Sequence, residues 1–360
     1  MKGPATEFPV IKTTMSGLKK KFDLNDPKDR KEYFEAKAGP EIAKLKKYLQ
    51  KNTFVAYLLG KKNSGKGTYT KLMAEIFGAD KIGHISVGDL VRATHKIIED
   101  PKQKKELLDY LEQHYRGYIS IADAIDALIG KNQKVLLPTE FILTLVKREI
   151  DKLDRKVIFL DGFPRDLDQI QYSLYFRDLI NYRTDPDIFV AINIPESVLD
   201  ERMRNRVVCP KCQAPRNLTT FPTKEAGYDE TAKQFYLKCD NPSCKGARMV
   251  GKEGDSAGIE SIRERLELDD KLIKKVMSLH GIPKILLRNA IPVDSVKNKI
   301  VDEYEITPMY TFKHDKKSEK VEINEKPWII KDDQGKDSYS LLAPPVVIGL
   351  IKGLAKALDI

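Results

Sequence analysis

Two kinds of apolar pattern alternate along the chain. Continuous apolar runs of strand length stand at TFVAYLL (53–59), KVIFLD (156–161) and DIFVAINI (187–194), with a shorter one, KIGHIS, at 81–86. Such runs suit strands buried on both faces of a parallel sheet. Between them the apolar spacing is helical, in TYTKLMAEIF, GDLVRATHKII, PKQKKELLDYLEQHY, ISIADAIDALI and PTEFILTLVKREIDKL. IESIRERLELDDKLIKKVMSLHG (259–281) continues the helical spacing, and AIPVDS then supplies a last strand. Strands alternating with helices predict a doubly wound α/β core, a parallel sheet flanked by helices.

Three segments depart from this alternation. Residues 1–52 are Lys-rich and predict an N-terminal appendage of two short helices, split at Gly39-Pro40. Residues 207–257 hold many Pro, Gly, Lys and Asp residues and read as an insertion between two helices. Residues 305–360 predict a C-terminal appendage: a hairpin around Asp333-Gln334-Gly335, then a closing helix in PPVVIGLIKGLAKALDI. The core is expected over 53–304.

Composition narrows the class. Hydrophobic residues make up 41% and charged residues 32% of 360, which suits a soluble globular protein. No apolar run reaches the roughly 20 residues a bilayer span needs, and the N-terminus lacks a signal-peptide apolar region, so a cytoplasmic protein is expected. The net charge of +10 suits anionic partners, small polyphosphates among them. The aromatic-rich basic surface of a nucleic-acid binder is not evident.

The four cysteines, Cys209, Cys212, Cys239 and Cys244, form a C-x2-C … C-x4-C set inside the insertion. Without an export signal this spacing argues for metal before disulfide, and four thiolates suit a closed tetrahedral zinc site. A flap of about 50 residues has too little core to fold well alone, and a structural metal supplies the difference.

The stretch LLGKKNSGKGTYTK (58–71) nearly fits the phosphate-binding loop G-x-x-x-x-G-K-[ST]. Gly60, Gly65 and Lys66 match. The hydroxyl residue comes one place late, at Thr68, and Gly67 takes its position. Glycines let backbone N–H groups approach phosphate oxygens, and the helix beginning there adds its positive dipole end.

The G-K-G-T form resembles the nucleoside monophosphate kinases, adenylate kinases above all. SVGDLVR (86–92), LDGFPRDLDQ (160–169), ERMRNRVVCPKC (201–212) and RERL (263–266) match that family in order, over about residues 53–300. The resemblance implies a P-loop kinase fold with an acceptor-binding insertion at 87–137 and a zinc-bearing LID at 207–257. It implies Mg²⁺-dependent phosphoryl transfer from ATP to a nucleoside monophosphate, with AMP the expected acceptor. By the same resemblance Gly60, Ser64, Gly65, Lys66, Gly67, Thr68, Arg202 and Arg206 bind ATP. Val87, Arg92, Gly162, Arg165 and Gln169 form the acceptor site, with Gln169 reading the base. Lys66, Arg92, Arg165, Arg206, Arg265 and Asp161 are the expected catalytic set, Asp161 accepting from magnesium-bound water. Pro164 is expected to hold a rigid turn that aims Arg165, in either isomer.

Such a transition state asks for positioning and charge stabilisation, which suits arginine forks. The chain departs from the family pattern at Lys61-Lys62-Asn63, at Val87 in place of a hydroxyl residue, in a lengthened 93–136 segment, and in Asp255-Ser256, which no arginine precedes unless Arg248 serves. Those departures keep UMP, CMP or GMP open as acceptors, and a nucleotide-sensing scaffold with weak turnover as a rival reading. A monomer is expected, with the appendages as candidates for an oligomer contact.

Overall fold

The computed structural model describes residues 8–130, 137–165, 167, 169–252, 254–315 and 320–360. Five parallel strands form the central sheet: β1 (Val55–Gly60), β2 (Ile82–Ser86), β3 (Val157–Asp161), β4 (Asp187–Asn193) and β10 (Lys284–Arg288), in the order β10-β4-β1-β3-β2. Leu58 on β1 pairs with Asp161 at the end of β3, and Gly60 with Ile192 on β4. The continuous apolar runs are strands covered on both sides, as the pattern predicts. β10 was not expected, and AIPVDS is not the last parallel strand: only Ala290–Pro292 (β11) is extended, in a separate antiparallel sheet. β10 lies at the sheet edge, where burial alternates along it, so its sequence shows no unbroken apolar run.

Alternate residues of the strands face two helical layers. Val55, Tyr57 and Leu59 pack with α3 (Val87–Glu99), α4 (Pro101–His114), α5 (Ile121–Leu128), α6 (Thr139–Asp151), α7 (Gln169–Leu179) and α9 (Arg263–Met277). Ala56 and Leu58 face α1 (Pro27–Tyr48), α2 (Lys66–Phe77) and α11 (Ala343–Ala357). The terminal segments therefore supply most of one layer. α1, capped by Asp26, consists of two helical stretches joined at a kink, as expected: Ala38 leaves helical geometry just before Gly39-Pro40, and the proline ring with its missing N–H breaks a straight helix there. α11 lies close to the sheet because of a glycine: a Cβ on Gly353 would stand 2.6 Å from Ile285 Cγ2.

Residues 205–257 form a small β unit that leaves the core after α8 (Glu196–Arg204). It contains β5 (Arg206–Val208), β6 (Pro215–Asn217), β7 (Ala226–Asp229), β8 (Gln234–Leu237) and β9 (Val250–Gly251). The C-terminal segment follows the short α10 (Asp294–Lys297). Its expected hairpin is β14 (Ile329–Lys331) with β15 (Asp337–Ser340), which pairs with β11. A further hairpin, β12 (Pro308–Asp315) with β13 (Lys320–Pro327), was not anticipated. It packs on the β unit: Phe312 stacks on Phe235 at 5.5 Å and His314 on Tyr228 at 4.7 Å between ring centroids. The Tyr310 N–H donates to the Thr219 carbonyl at 2.6 Å.

Candidate functional site

From β1 the chain runs to β2 on one side of the sheet and later to β4 on the other. Ligands of such sheets bind beyond the carboxyl ends of the strands at this reversal. A cavity of about 690 Å³ lies there, bounded by the loop from Asn63 to Tyr69, by His84 and Asp161, and by Arg202 and Arg206.

The loop is shaped by two glycines. A Cβ on Gly60 would stand 2.9 Å from Ser64 Oγ and 3.1 Å from the Ile192 carbonyl oxygen. Gly65 has a φ of 100° and caps α2, with the Tyr69 ring 2.9 Å from where a Cβ would be. Gly67 has room, its nearest neighbour being His84 Cε1 at 3.7 Å. The first amides of α2 therefore open into the cavity, as an anion site requires. Lys66 Nζ donates to the carbonyls of Gly60 at 2.6 Å and Lys61 at 3.0 Å, and lies 3.7 Å from Asp161 Oδ1. Burial lowers its pKa, opposed by the carboxylates of Asp161 and Asp269.

The arginines converge with fixed partners. Arg206 grips the buried Asp255 and donates to Asn63 Oδ1 at 2.9 Å. Arg202 donates to the Asn63 carbonyl at 3.1 Å, and burial lowers its pKa. Arg265 Nε donates to Asp269 Oδ1 at 2.9 Å. Burial lowers the pKa of Arg165, and the nearby charge of Arg265 adds to the effect. Among the described residues, Asn63 Nδ2 and Asp269 Oδ2 are buried here without a hydrogen-bond partner. Arg248 does not serve the Asp255 turn; it pairs with Asp229 and stacks on Tyr236.

On the acceptor side the arrangement is looser. Arg92 is 72% exposed and paired with Asp89. Val87 is fully buried, and beside it the φ of 85° at Gly162 favours glycine there, although a Cβ would meet Val87 Cβ at an ordinary contact distance of 3.5 Å. Phe163-Pro164 is cis. Gln169 is buried: its Oε1 accepts from the Arg165 N–H at 2.8 Å and its Nε2 donates to Thr139 Oγ1 at 3.2 Å.

The four cysteine sulfurs lie within 4.8 Å of one another. Cys212 and Cys239 sulfurs are 3.7 Å apart, too far for a disulfide. Metal–sulfur bonds of about 2.3 Å in a tetrahedron put neighbouring sulfurs about 3.8 Å apart, so the cluster fits zinc. Backbone N–H groups of Cys212 and Lys211 hold the Cys209 thiol down at about 6, while burial pushes Cys244 up to about 12. So many sulfurs in one place ionise together only with a cation among them.

Sequence reasoning missed Asp269, Asn63 and the role of Lys61. Asp269 was legible as the i+4 partner of Arg265 on one helix. Lys61 points away from the cavity, to Glu196 and Asp270, each at 3.3 Å. Nothing local in the sequence marks those contacts.

No family model matches the chain. Curated relatives do. The chain is 30% identical over 252 residues to an adenylate kinase of Thermotoga neapolitana, spanning 69% of this chain and 96% of that protein. It is 31% identical over 247 residues to an adenylate kinase of Thermotoga petrophila (67% and 94%). It is 32% identical over 215 residues to one of Clostridium acetobutylicum (59% and 80%).

Proposed function

This chain belongs to the nucleoside monophosphate kinase family, and from that premise we propose that it transfers the γ-phosphoryl group of ATP to AMP, giving two ADP. One observation carries the reading: Lys66, Arg202 and Arg206 line one crevice at the end of β1, with α2 opening into it, and the charges of Arg265 and Arg165 are felt around Lys66 and Asp161. Asp161, Asp255 and Asp269 only partly offset that charge. A polyphosphate supplies the missing negative charge.

The donor phosphates lie over Gly65, Lys66, Gly67 and Thr68, where backbone amides face them. Lys66 exchanges its loop carbonyls for phosphate oxygens. Asn63 Nδ2 gains a partner in the same step. Arg165 and Arg92 hold the acceptor phosphate, Arg92 turning in from its exposed position. Arg206 and Arg265, fixed by Asp255 and Asp269, stabilise charge on the transferring group. Magnesium bound with ATP would shield the phosphate charges, and Asp161, beside Lys66, would face its bound water. The residues from 205 to 257 act as a LID that closes and excludes water. Cys209, Cys212, Cys239 and Cys244 would hold a zinc ion that keeps that LID folded and takes no part in the chemistry.

Base recognition by Gln169 favours AMP. Steady-state kcat/KM with ATP against AMP, CMP, UMP and GMP tests this. A lead for CMP or UMP over AMP rejects the adenylate kinase reading. Absence of transfer to all four rejects kinase activity and leaves the sensor.

A further inference from the structure

The β12–β13 hairpin lies outside 53–300, the stretch that resembles the kinases, and no step of the transfer above uses it. Both of its ends are fixed to the core. Just before it Glu305 is fully buried and accepts from the Tyr33 hydroxyl, and the Thr307 N–H donates to the Ser340 carbonyl at 2.8 Å. Just after it Trp328 packs on Ile194, Val198 and Leu199. Between these anchors the hairpin runs along the LID with one face of β12, since Tyr310, Phe312 and His314 are alternate residues. Tyr310 meets Thr219 near the base of the LID, where the Leu218 N–H donates to the Asn205 carbonyl at 2.8 Å. Phe312 and His314, farther from the hairpin's own base, stack on Phe235 and Tyr228. His314 Nδ1 also lies 3.4 Å from Glu230 Oε1. Among the described residues, none from 308 to 327 borders the phosphate cavity.

We propose that this hairpin is a strap: it ties the LID to the core in its present position, and closing the LID over ATP works against it. The inference rests on the kinase reading above, in which residues 205–257 close. The chain enters the LID after α8 and leaves it before α9, and two such crossings alone leave a flap free to rotate. The hairpin adds a third attachment. Its strands are paired from Pro308 with Pro327 out to Asp315 with Lys320, so it moves as one unit. It grips the LID from a side that the phosphates do not use. A LID rotating towards the phosphate loop therefore strips Phe312 and His314 from their partner rings or strains the anchors at 305–307 and 328. Either cost falls on the closed form alone. Nucleotide held by that form loses apparent affinity in proportion to the fraction of closed protein. In return, a LID biased towards opening lets product leave sooner.

Slackening the anchors while keeping the LID contacts tests this. A short run of glycines inserted after Thr307 and another after Pro327 lengthens only the tether and leaves Phe312 and His314 on the LID; flexible insertions of this kind cost a fold little. With zinc saturating, calorimetry should show Mg-ATP binding the double insertion at least about threefold more tightly than the unmutated chain. Hydrogen-exchange protection in 226–237 should not change. Unchanged or weaker ATP binding with that protection intact overturns the strap and leaves the kinase reading standing, because the hairpin would then only support the LID. If the double insertion does not fold, or loses protection in 226–237, His314→Ala decides. It removes the outermost of the two stacks and should tighten Mg-ATP about twofold; unchanged or weaker binding overturns the proposal. An unmutated chain that fails to bind Mg-ATP overturns both readings.

Discussion

Lys61 and Lys66 share a loop but not a task. Lys66 Nζ sits among the loop carbonyls beside Asp161, so Lys66→Ala removes the charge nearest the expected phosphates. Turnover should fall at least about a hundredfold in a folded protein. Lys61 instead ties the loop to α8 and α9, and Asp333 draws near the same cluster. Burial would lower its pKa, yet Asp270, Asp333 and Glu196 carry it above the usual lysine range. Because those carboxylates are partly exposed, Lys61→Ala should cost about 1–2 kcal/mol of stability with kcat nearly unchanged. Kinetics and thermal melts on both variants check the contrast; comparable kcat losses would mean that both lysines serve the phosphates. Gln169 poses a finer question, since its amide holds the Arg165 backbone. Gln169→Ala should lower kcat/KM for AMP about tenfold and narrow its lead over CMP, UMP and GMP. An equal loss for all four acceptors would show that Gln169 only positions the Arg165 turn.

Among the elements, the LID has little core of its own. Its buried apolar cluster consists of Leu237, Met249 and three of the cysteines, extended by Phe312 from β12. Cys239→Ser, or chelation, should therefore unfold residues 205–257 ahead of the sheet. Phe312→Ala should loosen the same unit by about 1–3 kcal/mol with zinc in place. Hydrogen exchange checks both: protection should drop in 226–237 while β1 and β4 stay protected. If β1 loses protection together with 226–237 in either experiment, the LID is not a separate folding unit. The elements also show what the sequence made legible. β1, β3 and β4 were readable because strands buried on both faces carry unbroken apolar runs. The phosphate loop, the arginines and the cysteine set were readable because their spacing is short and chemically constrained. β10 was hidden by its edge position. The β12–β13 hairpin was hidden because its half-exposed residues alternate weakly, and its aromatic partners lie some eighty residues away in the chain. Asp255 as the partner of Arg206, and Lys61 as a tie to α8, depend on contacts between distant segments. Periodicity carries no record of those.

At the scale of the whole molecule, the termini behave as structure rather than decoration. Glu305 is fully buried and accepts from the Tyr33 hydroxyl at 2.6 Å, the Asp302 N–H at 2.7 Å and the Thr13 hydroxyl. Lys37, also buried, stands 3.4 Å from it and pairs with Asp302. This network joins the N-terminal segment to the start of the C-terminal one, over the face where α1 and α11 cover the sheet. Lys37→Met keeps the stem and removes the ammonium, leaving Glu305 a buried carboxylate short of its cation. The cost should be about 3–5 kcal/mol. Because the terminal layers and the sheet share one apolar core, the loss should appear in a single cooperative transition. Trp328, the only tryptophan, reports on the C-terminal segment from its place against Ile194, Val198 and Leu199. With zinc saturating, denaturant curves from Trp328 fluorescence and from far-ultraviolet circular dichroism should coincide in the unmutated protein and shift together in Lys37→Met. A tryptophan transition that moves ahead while the sheet stays folded would return the termini to the status of appendages.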